Sequence, residues 1–170
     1  MNRMRIALAG AVVAVVAGIC ALPAMAAPPQ TATATQTVKF TNRASVQLAL
    51  SQPIVDFGQV DPLTPYTAAG GTATVKANAP WTLTVAAPAN FTETPTGTGT
   101  IPIGRLGLSA NGGAYTTLVN GTNSVATGAA TTNAGTATTL GYQLTLQFGD
   151  APNTTGSNYQ AVLTYTASTP

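Results

Sequence analysis

The chain has 170 residues, with six Lys and Arg, four Asp and Glu and no histidine, so its formal net charge is only +2. Without histidine there is no Ser-His-Asp or Cys-His catalytic arrangement. With Cys20 as the single cysteine there is also no zinc or copper site of the usual His/Cys kind. Beyond Arg3 and Arg5, the cations Lys39, Arg43, Lys76 and Arg105 balance Asp56, Asp61, Glu93 and Asp150. That balance leaves no basic patch for nucleic acid and no basic helix for a membrane surface.

The N-terminus reads as an address. Arg3 and Arg5 precede an apolar run from Ile6 to Ile19, and Ala24-Met25-Ala26 follows. A basic head, an apolar middle and a small-x-small end make a secretory signal peptide, cut after Ala26. The apolar run is short of the roughly twenty residues of a spanning helix. Cys20 follows Ile19, where a lipidation signal wants a small residue. The expected organisation is a signal peptide at 1–26, an N-terminal arm or edge strand at 27–37, and one β-sandwich domain at 38–170. The expected location is outside the cytoplasm: extracellular, cell-surface or periplasmic.

Ala27 to Gln36 is rich in small residues and begins with Pro. From Thr31 the arm alternates. Ala32, Ala34, Val38 and Phe40 fall on one face, which makes them candidates for an assembly strand that adds to a neighbouring sheet. Val46, Leu48 and Leu50 alternate with polar residues, and Ile54 to Phe57 resumes the pattern after Pro53. Asp61 to Gly71 reads as a turn-rich loop and Thr72 to Ala77 as a strand, with Asn78-Ala79-Pro80 turning the chain. Trp81, Leu83 and Val85 alternate with Thr82 and Thr84 as a half-buried strand, which puts Trp81 in the core. Thr92 to Thr100 reads as loop. Ile101 to Leu108 reads as a strand bent at its glycines. Asn111-Gly112 and Asn120-Gly121 each signal a type I′ turn, predicting two consecutive hairpins. Thr127 to Thr136 reads as loop. Leu140 to Phe148 alternates as a long central strand. A turn at Gly149 to Ser157 leads to a last strand from Tyr159 to Tyr165. This pattern predicts an all-β, antiparallel two-sheet sandwich of immunoglobulin-like or pilin-like type, with a closed barrel as the alternative.

Candidate chemistry is sparse. The carboxylates are too few and too scattered to suggest a hydrolytic pair, and the chain is expected not to be an enzyme and to need no cofactor. Asp150, Asn153 and Asn158 share one loop and are the best oxygen-donor set for calcium, although one carboxylate is little charge for that ion. Tyr66 and Tyr115 occupy loop or hairpin positions and are candidate ligand contacts, for example to sugar.

Two stretches carry a family likeness. Ser45 to Val85, with Phe57-Gly58 and the Trp81 to Val85 strand, and Leu140 to Ala167, ending on a Tyr-containing strand, resemble bacterial exported β-sandwich proteins of the pilin-like, spore-coat-protein-U type. Two features depart from that pattern: an extra residue in Gly156-Ser157-Asn158-Tyr159, and the lack of a cysteine pair. The resemblance implies a structural subunit of a surface appendage or coat. Its partners would be copies of itself, in a fibre or coat, or other surface proteins, with no membrane association after signal cleavage. The other expectation is an adhesive or carbohydrate-binding module.

Overall fold

The computed structural model describes residues 33–170. The expected signal peptide, Ala32 and the start of the arm lie outside the described residues. The chain divides into two units, Met1–Phe40 and Thr41–Pro170. In the first, residues 33–40 are exposed and carry no strand. This corrects the edge-strand expectation: Ala34, Val38 and Phe40 alternate in sequence, but alternation alone does not make a strand without a ladder partner.

The second unit is all β, as expected. Its strands are β1 (Val46–Leu50), β2 (Tyr66–Ala77), β3 (Trp81–Ala87), β4 (Asn90–Thr94), β5 (Thr100–Pro102), β6 (Leu106–Ala110), β7 (Thr116–Thr117), β8 (Gly121–Gly128), β9 (Thr136–Leu144), β10 (Asn158–Gln160) and β11 (Thr164–Ser168). All pairings are antiparallel. A large sheet has the order β1-β2-β9-β6-β7, a second β11-β3-β8, and a small third β10-β4-β5. One buried cluster joins the first two sheets: Ala73, Val75, Leu108, Leu140 and Tyr142 come from the large sheet, and Trp81, Leu83 and Val85 from the second. The phenols of Tyr142 and Tyr165 hydrogen-bond across this interface at 2.5 Å. Burial raises the Tyr142 hydroxyl above its ordinary range, as it does for Tyr165.

The alternation of β3 is realised fully. Trp81, Leu83, Val85 and Ala87 point inward, with Thr82, Thr84 and Ala86 outward. Across the second sheet Thr82 opposes Ser168 and Thr84 opposes Thr166, and the Thr82 and Ser168 hydroxyls bond at 2.9 Å. The abundance of Thr is therefore a surface coat of uncharged β-formers.

Several boundaries differ from the sequence reading, each for a tertiary reason. Gly70-Gly71 is not a turn but a bulge inside β2, where the register with β9 shifts between Ala69 and Thr72. Gly71 has φ +71°, and a side chain at Gly70 would run into the Tyr142 ring. The strand therefore begins at Tyr66, inside the expected loop. Ile54 to Phe57 forms no strand, although Val55 and Phe57 pack against the core. The expected loop at 92–100 contains the end of β4 and the start of β5. The expected strand 101–108 is broken by a 3-10 turn, Ile103–Arg105, that carries the chain from the small sheet to the large one.

The long strand at Leu140–Phe148 instead occupies Thr136–Leu144. Leu144 pairs with the first residues of both neighbours, Tyr66 and Leu106, so beyond it β9 has no ladder to join. The final strand is split at residues 161–163. Its partner is split too, at Pro88-Ala89 between β3 and β4, and proline has no N–H to give a ladder. Of the two hairpins, one forms. Asn111 (φ 53°) and Gly112 (φ 73°) turn β6 into β7. At Gly121 the chain leaves the large sheet for the second, so β8 pairs with β3. The side chain of Asn123 organises this corner, accepting from the Val119 N–H and donating to the Val119 and Gly121 carbonyls.

Candidate functional site

Among the described residues no group of three or more acidic, His or Cys side chains gathers to hold a metal ion. Each carboxylate is engaged locally. Asp56 accepts the Gly58 N–H and Asp61 the Tyr66 hydroxyl. Asp150 pairs with Arg105 through two bonds, Nε to Oδ2 at 2.8 Å and an η nitrogen to Oδ1 at 3.0 Å, and it also accepts the Gln147 N–H at 2.8 Å. The Arg105 bond holds the Asp150 carboxyl below its usual range.

This placement bears on the calcium candidate. Both Asp150 oxygens already face a guanidinium. The Asn153 amide donates to the Ser157 and Thr154 carbonyls, and Asn158 is exposed on β10. Arg105 stands where a cation would have to sit. Arg105→Met should therefore lower stability by about 1–3 kcal/mol, since bonds to a charged group are lost and Asp150 is left partly buried. Millimolar calcium should not shift the melting midpoint of the native protein. A calcium-dependent rise, read by differential scanning calorimetry, would contradict this account.

The fourth carboxylate is the most enclosed. Glu93 on β4 takes the Ser157 hydroxyl on Oε1 at 2.5 Å and the Thr154 N–H on the same oxygen, and it takes the Gly99 N–H on Oε2 at 3.1 Å. The Ser157 and Thr154 bonds lead in pushing its pKa down to about 2. A Cβ on Gly97 or Gly99 would collide with the Glu93 carboxylate or the Tyr159 hydroxyl. These glycines let two loops close over one carboxylate. The cluster is a structural clasp that ties the turn after β4 to the turn before β10. Sequence reasoning missed it, because Glu93 and Ser157 are 64 positions apart.

Tyr66 and Tyr115 do not form one surface. Tyr66 opposes Leu144 on the inward face of the large sheet, and its hydroxyl bonds Asp61. Tyr115 lies on the outward face, its ring beside Gly107 and its hydroxyl beside Gly141. It fills the gap that these two strand glycines leave.

What remains exposed is apolar side chains and strand edges. Val38 is 80% exposed and Phe40 87%. The root of their segment is fixed by Asn78, which accepts the Ser45 N–H and donates to the Arg43 carbonyl, both at 2.8 Å. The edge strands of the two facing sheets are β1, β7, β8 and β11, each paired on one side only among the described residues. Such edges offer free N–H and C=O groups to another strand.

No family model matches this chain, and neither a curated protein nor a solved structure matches it.

Proposed function

We propose that the protein is an exported structural subunit of the cell surface, and that copies join by strand addition with the segment around Val38 and Phe40 as the donor. The observation that carries this reading is the exposure of two large apolar residues at period-two spacing in a segment without a strand of its own. An extended segment of this kind gains main-chain bonds from a free sheet edge, and its alternate side chains supply the apolar contact. A head-to-tail contact does not close on itself and so builds fibres. The unpaired edges supply the other half of the contact. The scarcity of charge leaves little repulsion between copies.

The test is the double variant Val38→Asp/Phe40→Asp. Burying two such side chains contributes about 1.5–3 kcal/mol each, and 1.4 kcal/mol is tenfold in an equilibrium constant. The concentration for half-assembly, followed by light scattering and electron microscopy, should rise at least about a hundredfold. The melting midpoint of the monomer should stay unchanged, because both residues are exposed. A native protein that stays monomeric at high concentration would refute the proposal, as would a variant that assembles equally well.

A further inference from the structure

The two facing sheets meet differently along their two sides. On one side β1 and β11 run close together, with Cα atoms within 8 Å of each other. On the other side, between β7 and β8, a cleft of about 190 Å³ remains. Its apolar walls are Leu108, Ala110, Ala114 and Leu118 from the β6–β7 side and Val125 from β8. Leu108 and Leu118 are core residues, so the cleft opens directly onto the core.

Three features define what fits there. First, β8 pairs only with β3, so its other edge faces the cleft side unpaired among the described residues. A strand added to that edge would lie about 4.8 Å away, its alternate side chains turned toward the apolar walls. Second, the register between β3 and β8 slips between Leu83 and Thr84, leaving Val125 without an opposite residue. A bulge of this kind re-aims a side chain, and Val125 lines the cleft. Third, no charged residue lines it. The Asn123 side chain there is already consumed by the Val119 and Gly121 carbonyls and the Val119 N–H. The fitting occupant is an extended segment with apolar residues on one face and no charge on that face.

We infer that the β7–β8 cleft is the acceptor, and that its occupant is the Val38–Phe40 segment of a second copy. Val38 and Phe40 share one face, and the only charge near them, Lys39, falls on the other. This rests on the strand-addition reading above and adds to it the side of the sandwich that receives the strand. The β1–β11 side is the alternative acceptor, but there the sheets have already come together.

The experiment uses single-thiol chains in a Cys20→Ser background. One carries Lys39→Cys, which leaves Val38 and Phe40 in place. The other carries Ala114→Cys at the cleft, or Thr164→Cys on β11 as the control. Both acceptor positions are exposed. Mixed pairs are treated with a short bis-maleimide linker, whose reach tolerates a slip of a residue or two in register. Mixed dimers through Ala114→Cys should exceed those through Thr164→Cys by at least tenfold, and adding Val38→Asp/Phe40→Asp to the donor should abolish the excess. Equal yields, or an excess through Thr164→Cys, would overturn the cleft as acceptor while leaving strand addition in place. No cross-link at either position from chains that also stay monomeric would overturn both.

Discussion

Replacing Trp81 with alanine should cost about 3–5 kcal/mol, the range for truncating a buried aromatic. Trp81 opens β3, is 2% exposed and belongs to the cluster that joins the two facing sheets. Its ring lies against the backbone of Gly128, where an added Cβ would come within 2.5 Å of the indole. Gly128 pairs directly with Trp81 at the end of β8. The small residue opposite is what lets the indole lie flat over the strand. The indole N–H has no hydrogen-bond partner among the described residues, and an unsatisfied buried donor is itself unfavourable. Trp81→Phe should therefore be far milder than Trp81→Ala, because it keeps most of the apolar contact and removes the unpaired donor. Gly128→Val should approach the alanine variant in severity through the opposite fault, overpacking. Trp81 is the only tryptophan, so its emission reports on this site alone. It should be blue-shifted and poorly quenched by iodide in the native protein. Chemical denaturation of the three variants checks the order, and a water-exposed emission would contradict the packing.

The second large effect is the loss of the Glu93 clasp. Glu93→Gln keeps the shape but turns one acceptor oxygen into an amide donor, facing groups that already donate: the Ser157 hydroxyl and the Thr154 and Gly99 N–H groups. The two turns that meet on this carboxylate should loosen. Amide exchange at Gly99 and Thr154 should speed up by about tenfold or more, while the β3 amides keep their protection. Gly97→Ala should act in the same direction, costing about 1–3 kcal/mol or more by forcing the carboxylate out of place.

The pH dependence has a definite sign. Glu93 ionises at about 2 in the fold, against 4.5 for the free group. A depressed carboxyl pKa stabilises the fold in full above the free value, and this contribution is lost as pH falls from 4.5 toward about 2. The native protein should lose stability across that window, and Glu93→Gln should lose much less there. The remaining acid sensitivity falls to Asp150, whose carboxyl is also held low, by Arg105. A melting midpoint in Glu93→Gln that falls with acid as steeply as in the native protein would place the acid-sensitive bonds elsewhere.

The all-β class, the inward face of β3, the Asn111-Gly112 hairpin and the core position of Trp81 were legible in the chain itself. Each depends on neighbours two to four residues away: the two-residue repeat of side chains in a strand and the positive φ of a tight turn. Where a strand stops depends instead on its partner. The apolar alternation of Leu144, Leu146 and Phe148 continues past the end of β9, but the ladder does not, because Tyr66 and Leu106 are the first residues of its neighbours. The alternation from Tyr159 to Tyr165 hides a break that Pro88 imposes from another strand. Gly70-Gly71 looks like a turn locally, and the Tyr142 ring makes it a bulge. Asn120-Gly121 looks like a hairpin, but the chain changes sheets there. The candidate sites divide in the same way. The period-two spacing of Val38 and Phe40 is a local pattern, whereas their exposure, the pairing of Asp150 with Arg105 and the closure of two loops over Glu93 are set by the tertiary structure. Long-range hydrogen bonds and close packing join residues that no sequence window contains, so only the folded chain decides which edges stay free and which side of the sandwich remains open.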